Sequence, residues 1–356
     1  MRIWLDNIIF DLQKSGGISV VWYELLRRMQ RSNSFNINYI DNRGCTNPYR
    51  HNLEIKEDAI GRVDNFIPIS RYLSVRIKNK EPFIFHSSYY RYCNNPHAIN
   101  ITTVHDFTYE YYRKGPAKWL HCWQKYKAVK HSQYVVCISE NTKKDLQKFV
   151  PNIDESKIRI IYNGVSDDYY VLDKIGNLST IPFGIKKYVI FVGNRFGYKN
   201  FDFLKKTIAK SEYNLVIVGS PLTVEEKQDI EKYIPREKYY CTGFLTNKEL
   251  NTLYNHAAAL VYPSSYEGFG IPVVEAQKAG CPVIAYNSSS IPEVIGNTPL
   301  LMNELSEMEL LNKLSLLTDN NLMKIVREDG LKNSKRFNWD KMFKGYLDLY
   351  HEAFLK

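Results

Sequence analysis

No run of the roughly 18 apolar residues that a spanning helix needs occurs in the chain, so hydropathy offers no transmembrane segment. The first ten residues form a short apolar run without a cleavage signature, and no secretory leader is read there. Six cysteines, Cys45, Cys93, Cys122, Cys137, Cys241 and Cys281, are scattered without a CxxC pair. That argues against a zinc ribbon or thioredoxin-like chemistry. Several lie in apolar runs and read as small buried hydrophobes. Low-complexity stretches, arginine-rich tails and nucleic-acid modules are missing as well, so no nucleic-acid partner is expected. A reduced, cytoplasmic compartment is the default expectation.

The chain has 356 residues, which suits two domains better than one. Its hydrophobic share of 44% and charged share of 24% are globular values. The net charge of +10 is unevenly spread. Residues 1–170 hold 25 Lys/Arg against 17 Asp/Glu, a balance of +8, and the remainder holds 23 against 21, a balance of +2. A basic first half predicts an anionic partner there, and a membrane surface or lipid phosphate fits better than nucleic acid.

Short apolar runs alternate with helical patterns along the whole chain. The first half predicts strands at Arg2–Asn7, Ile37–Ile40, Phe83–His86, Ile99–His105, Tyr134–Ser139 and Ile158–Tyr162. The second half predicts them at Tyr188–Gly193, Asn214–Gly219, Tyr239–Gly243, Ala258–Tyr262 and Pro282–Tyr286. Most are continuous and β-branched, the pattern of strands buried on both faces of a parallel sheet. Ile18–Met29 carries Ile18, Val21, Trp22, Leu25, Leu26 and Met29 on one helical face. The alternation predicts an α/β, doubly wound architecture. Core patterning lapses over residues 166–185, around Asp167, Asp168, Gly176 and Pro182, and reads as a linker. The expected layout is a domain over 1–170, a second over 186–336, and a terminal helix within 337–356. Two such domains in series predict a ligand site at strand carboxyl ends.

The most informative stretch is Tyr262–Gly280, YPSSYEGFGIPVVEAQKAG. A buried strand gives way to a loop with two glycines, then to a helix opened by Pro272 and closed by Gly280. The loop delivers the backbone amides of Gly268, Phe269 and Gly270 to a helix N-terminus, which suits an anion or a sugar oxygen. Glu267 and Glu275 flank this turn, and a carboxylate accepts two hydrogen bonds at once, as reading a vicinal diol requires. Taken alone, Glu275 is also what the dipole of a helix's first turns favours. A second stretch, FVGNRFGYKN, ends a strand at Gly193 and places Arg195 and Lys199 in the following loop. Fixed cations there can meet charge developing on a departing phosphate; two solvated surface cations are the plainer reading. Gly16 and Gly17 open the first long helix. TTVHDF sets His105 and Asp106 at a strand's carboxyl end, and FHSSYY does the same for His86. His86 and Asp106 are assigned to an acceptor side.

The string Glu267–Glu275 closely resembles the E-x7-E signature of the family 4 retaining glycosyltransferases, which adopt the GT-B fold. The likeness continues through CPVIAYNSSSIPEVIG, Cys281–Gly296, and covers nearly the full chain. It implies two Rossmann-like domains facing across a cleft, with the terminal helix crossing back to the first. It implies that Glu275 binds the ribose of a nucleotide sugar and Glu267 contacts the donor hexose. Arg195 and Lys199 would hold the diphosphate, although Asn194 displaces Arg195 from the commoner Gly-Arg order. Gly16 and Gly17 would approach the donor phosphate and acceptor, and His105 would face the donor sugar. The implied reaction is hexosyl transfer with retention by front-face attack, mannosyl first, from a GDP- or UDP-linked donor to a glycan or lipid-linked acceptor, as in bacterial O-antigen or capsule synthesis. No DxD pair occurs, so no obligatory metal and no further cofactor are expected. A sugar-nucleotide epimerase of the same fold and a non-catalytic nucleotide-sugar-binding protein are the alternatives.

One segment points to a membrane. Tyr111–Lys130 holds six Lys/Arg and no Asp/Glu, with Trp119, Leu120 and Trp123 beside Lys118, Lys125, Lys127 and Lys130. Basic and aromatic faces together suit an interfacial helix on anionic lipid, hence a peripheral place on the inner face of the cell membrane. The alternative is a helix whose Trp and Leu residues pack on the sheet while its lysines are solvated.

Overall fold

The computed structural model describes residues 1–14, 16–32, 35–42, 44–63, 67–174 and 181–355. Ser15 and Gly176, with the middle of the expected linker, lie outside them. The chain divides into two compact units, Met1–Gly164 with Trp339–Lys356, and Val165–Asn338.

In the first unit the strands are β1 (Arg2–Asp6), β2 (Asn36–Asp41), β3 (Ile60–Val63), β4 (Phe83–Ser87), β5 (Ala98–Val104), β6 (Tyr134–Cys137) and β7 (Ile158–Ile160). Among the described residues they form one parallel seven-stranded sheet in the order β3-β2-β1-β4-β5-β6-β7. In the second unit they are β8 (Tyr188–Val192), β9 (Asn214–Val218), β10 (Tyr239–Gly243), β11 (Ala259–Tyr262), β12 (Val283–Tyr286) and β13 (Leu301–Met302). These form a parallel six-stranded sheet in the order β10-β9-β8-β11-β12-β13. Every strand read from the sequence is present. β3 and β13 escape that reading because both lie at sheet edges, where a strand needs no apolar side chains on both faces.

The segment ahead of Gly176 is not a free linker. The chain passes between units at Gly164, not near residue 170. The Tyr170 and Leu172 amides donate to the side chains of Asn251 and Asn255 at 3.0 and 2.9 Å. Side-chain amides of the helix Asn247–His256 thus satisfy this backbone in place of a sheet, so no periodic apolar pattern marks it.

The helix Gly17–Arg31 buries Val21, Trp22, Leu25, Leu26 and Met29 against the first sheet. The last helix, Trp339–Leu355, joins the same core through Trp339, Met342, Tyr346, Leu349, Tyr350 and Ala353. His86 of β4 meets that helix inside the core. Its Nδ1 lies 2.6 Å from the Tyr350 hydroxyl and its Nε2 lies 3.0 Å from Thr103 Oγ1. Thr103 is in turn 3.0 Å from the Tyr346 hydroxyl. Burial pushes the imidazole down to about 3, so it is neutral at physiological pH. The acceptor-side assignment of His86 is therefore corrected: the ring is fully buried, with one nitrogen on the last helix and the other on β5. At the carboxyl end of β1, Arg91 forks onto Asp6 through Nε (2.8 Å) and Nη2 (2.7 Å), a buried pair that Ser87 Oγ completes at 2.7 Å.

Replacing Tyr350 by Phe keeps the ring and deletes the hydroxyl, leaving a buried imidazole nitrogen without its partner. Chemical unfolding of the full chain is expected to show a loss of about 1–3 kcal/mol. An unchanged midpoint would mean that this bond does not hold the last helix.

Candidate functional site

The second unit gathers its candidate residues at the carboxyl ends of β8, β9 and β11. The β8 loop and the β11 loop are stitched together. Asn200 sits in the left-handed region (φ 51°) and its Nδ2 donates to Pro263 O and Ser265 Oγ, each at 2.7 Å. The Ser265 amide donates to Tyr198 O at 2.8 Å. This brings Lys199 against the β11 loop, where its Nζ donates to Glu267 Oε1 at 2.5 Å and to the Tyr262 hydroxyl at 3.3 Å. Both charged side chains are nearly buried, with 10% and 12% of their surface exposed. Glu267 is fixed from its backbone side too. Its amide donates to Ser289 Oγ at 2.8 Å, and its carbonyl accepts from Ser290 Oγ at 2.9 Å.

The chain then turns through Gly270 into the helix Ile271–Lys278. Gly270 has φ 98°, and a Cβ there would lie 2.8 Å from Ile291 Cδ1, so both conformation and space demand glycine. Gly219, beyond β9, has φ 149°, and a Cβ on it would fall 2.6 Å from the Gly193 carbonyl oxygen. The loops after β8 and β9 therefore touch backbone to backbone. The Phe269 ring is buried edge-on to Phe337 at 5.2 Å, so that residue can offer a ligand only its backbone.

Glu275 lies in the second turn of that helix. The Tyr254 hydroxyl donates to its Oε2 at 3.4 Å, and Tyr169 hydrogen bonds to it as well. Burial nevertheless pushes the carboxyl up to about 7, against those two bonds. Tyr262 stands within range of both glutamates. Burial first, then Glu267 and Glu275, raise its hydroxyl well above the ordinary phenol value. Sequence reasoning missed Tyr262, Tyr254, Tyr169 and Ser289; the small-residue string Ser288–Ser290 was the one local signal.

Arg195 is paired within its own unit. Its Nε and Nη2 fork onto Glu226 at 2.7 and 2.9 Å, and its Nη1 donates to Ser220 O at 3.1 Å. Its planar fork thus rests on a carboxylate in the ligand-free protein, as the Lys199 ammonium rests on Glu267. Lys199 is thus the cation of this loop that stands beside Glu267.

In the first unit, His105 follows β5 and borders a small cavity with Trp22, Ser88 and Thr103. Burial chiefly pushes its imidazole down to about 4, although Asp106 pulls the other way. Asp106 Oδ1 accepts from the Thr108 amide at 2.9 Å, just ahead of the helix Thr108–Tyr112. Gly16 caps the helix Gly17–Arg31 against the Gln13 side chain, whereas the space beside Gly17 is open.

The basic segment divides differently from either reading of it. Lys125 is buried, with Nζ 3.0 Å from Glu110 Oε2 and 2.7 Å from Asp106 O, and it does not belong to a lipid-facing surface. Trp119 (76%), Leu120 (43%) and Trp123 (48%) are exposed rather than packed on the sheet. Donor atoms of Glu110, His121 and Cys122 lie within 4.8 Å of one another, but the Lys125 ammonium already supplies the positive charge that Glu110 needs. No helix among the described residues is long and apolar enough to cross a membrane.

Comparison with known proteins matches both halves of the chain. Residues 181–335 match the family model for glycosyl transferases group 1, and residues 15–169 match the one for glycosyltransferase family 4. A protein of the Klebsiella pneumoniae cps region, of unassigned function, is 31% identical over 209 residues, 56% of each chain. The O-antigen chain mannosyltransferase RfbU of Salmonella typhimurium is 30% identical over 221 residues, 59% of this chain and 60% of the relative. The chain thus spans under two thirds of the length of these curated relatives. Among solved structures, sucrose-phosphate synthase of Thermosynechococcus elongatus superposes with a TM-score of 0.77 at 16% identity, covering 100% of this chain and 99% of the other. HepE of Anabaena, solved with UDP and glucose, gives 0.70 at 14% identity over 99% and 100%. These likenesses establish the fold as α/β of the GT-B type. With its two halves matched in turn by these two models, the chain belongs to the group 1 and family 4 glycosyltransferases.

Proposed function

We propose that this protein transfers a hexosyl group, mannosyl in the first instance, from a GDP- or UDP-linked donor to a glycan or lipid-linked glycan during assembly of a bacterial surface polysaccharide. The observation that carries the reading is the nearly buried Lys199–Glu267 pair beside the Gly270 turn that leads to Glu275. The name of the Salmonella relative supports the mannosyl preference and the O-antigen context. The UDP and glucose bound to HepE support a nucleotide-sugar donor. Nothing favours the epimerase alternative.

In the proposed reaction Glu275 accepts both hydroxyls of the ribose, and Glu267 accepts from a hydroxyl of the donor hexose. Lys199 faces the diphosphate. The bond from the anomeric carbon to the phosphate oxygen breaks, and negative charge grows on that oxygen beside the ammonium. The acceptor hydroxyl attacks from the same face and passes its proton to the departing phosphate oxygen, so configuration is retained without a covalent intermediate. In this reading Glu267 reads a sugar hydroxyl and is not the nucleophile. Lys199 and the amides at the start of the helix Ile271–Lys278 would carry the charge that a metal otherwise carries. A cytoplasmic protein touching the inner face of the membrane through Tyr111–Lys130 completes the reading.

Three outcomes are expected. Ribose binding needs Glu275 ionised, and its carboxyl titrates near 7 in the free protein. Above that value nucleotide affinity should be flat; below it, affinity should weaken by about tenfold per pH unit, and Glu275→Gln should flatten the profile. Calorimetric titration with the nucleotide from pH 5.5 to 8 reads this, and a pH-independent wild type removes the ribose role. Lys199→Ala should lower turnover at saturating donor by about 10²-fold or more; near-normal turnover would refute its role. Activity assayed with EDTA should persist, and strict dependence on added Mg²⁺ or Mn²⁺ would overturn the metal-free route.

A further inference from the structure

The first unit contains a cavity of about 340 Å³ that none of the donor chemistry uses. It opens between β3, residues 70–76 and the helix Pro116–His131. Arg62, Arg76, Arg91 and Lys127 line it, and among the described residues no acidic side chain does. These cations are not equivalent. Arg91 is matched by Asp6, so it forms a wall. Arg62 bends across the opening and donates from Nη1 to the Arg76 carbonyl at 3.1 Å. Arg76 is exposed. The Lys127 ammonium lies 4.7 Å from the centre of the Trp123 ring, which orients it without neutralising it. Ser70, Ser74 and Tyr72 add hydroxyl-bearing side chains to the same lining. With Arg76 and Lys127 as its cations and these hydroxyls beside them, the concave lining is complementary to phosphate oxygens.

The rim shows where such a phosphate comes from. Leu73 and Trp123 line the cavity and are 58% and 48% exposed. Trp119, Trp123 and Lys127 follow at i, i+4 and i+8 on one helix, so one stripe runs from the exposed 76% of Trp119 down into the cavity. Ile69, also 58% exposed, lies on the facing segment. A soluble phosphate gains nothing from this apolar collar, whereas at a bilayer surface tryptophans lie at headgroup level with the cations just beyond.

We propose that this cavity is a binding site for the phosphate of an anionic phospholipid headgroup, with the Trp119–Trp123 stripe seated among the surrounding lipids. The proposal rests on the membrane contact suggested above and is independent of donor chemistry.

The test is co-sedimentation of the full chain with vesicles of phosphatidylcholine alone or with three parts in ten phosphatidylglycerol. Wild type should bind the mixed vesicles and not the neutral ones. The charge reversal Arg76→Glu, and separately the pair Arg62→Ala/Arg76→Ala, should weaken that binding by about tenfold or more. A control pair outside the cavity, Lys144→Ala/Lys344→Ala, removes two exposed cations of the same unit and should change it less than about twofold. Nucleotide affinity should be unaltered in all variants. Equal losses in control and cavity variants would reduce the effect to diffuse charge and overturn the site. Loss of binding in neither would overturn the cavity while leaving the membrane contact standing, and wild type that ignores both vesicles would end both. Competition by free glycerol phosphate as strong as by the lipid would assign the cavity to a soluble phosphate instead. Failure of nucleotide to bind wild type would count against the transferase reading alone.

Discussion

Parallel strands cannot be joined by tight turns. Each must be followed by a crossover that carries the chain back over the sheet, and in both units this sends every strand-to-helix loop to one edge. Everything chemical in the second unit follows from that constraint. The β8 loop supplies Lys199, the β11 loop supplies Glu267, and the next helix supplies Glu275, although Lys199 lies 68 positions from Glu267 in the chain. The loops then need local rules to hold their shape. Asn200 in the left-handed region and Gly270 with its crowded Cα meet that need, and the Ser289 and Ser290 hydroxyls peg the turn from beneath.

The electrostatics of the site rest on pairing made before any ligand arrives. An ammonium and a carboxylate removed from water tolerate burial because each satisfies the other. A donor diphosphate would join that arrangement from outside, competing with Glu267 for the same ammonium. Glu275 is held differently. Its partners are tyrosine hydroxyls, which stabilise the carboxylate less than burial destabilises it, so it sits near its titration midpoint at neutral pH. Arg195 is held differently again, its Nε and Nη2 forked onto the Glu226 carboxylate.

Much of this was legible in the residues themselves. Interior strands announce themselves because both faces are buried, and the glycine turn into a proline-opened helix is a local event. What was missed at His86 and Arg195 has one cause, distance along the chain. A histidine after an apolar run looks like a site residue, yet His86 is claimed by Tyr350, 264 positions later. Arg195 looks free until Glu226, 31 positions on, closes over it. The tyrosines that frame Glu275 come from a segment with no periodicity and from a neighbouring helix. In Tyr111–Lys130 composition does not tell which side chains face out. A burial pattern decides that Lys125 faces inward to Glu110 while the tryptophans face out.

The last helix packs into the unit that begins the chain. A ribosome therefore makes the first sheet long before it makes the piece that completes it. Until Tyr346 and Tyr350 emerge, His86 and Thr103 lack their hydroxyl partners and the apolar face that Trp339 and Met342 cover stays open. The second unit, continuous from Val165 to Asn338, is synthesised whole in that interval. The order of completion is thus the reverse of the order of synthesis: the unit started first is the one finished last, and a nascent chain carries an unsealed core through most of its translation.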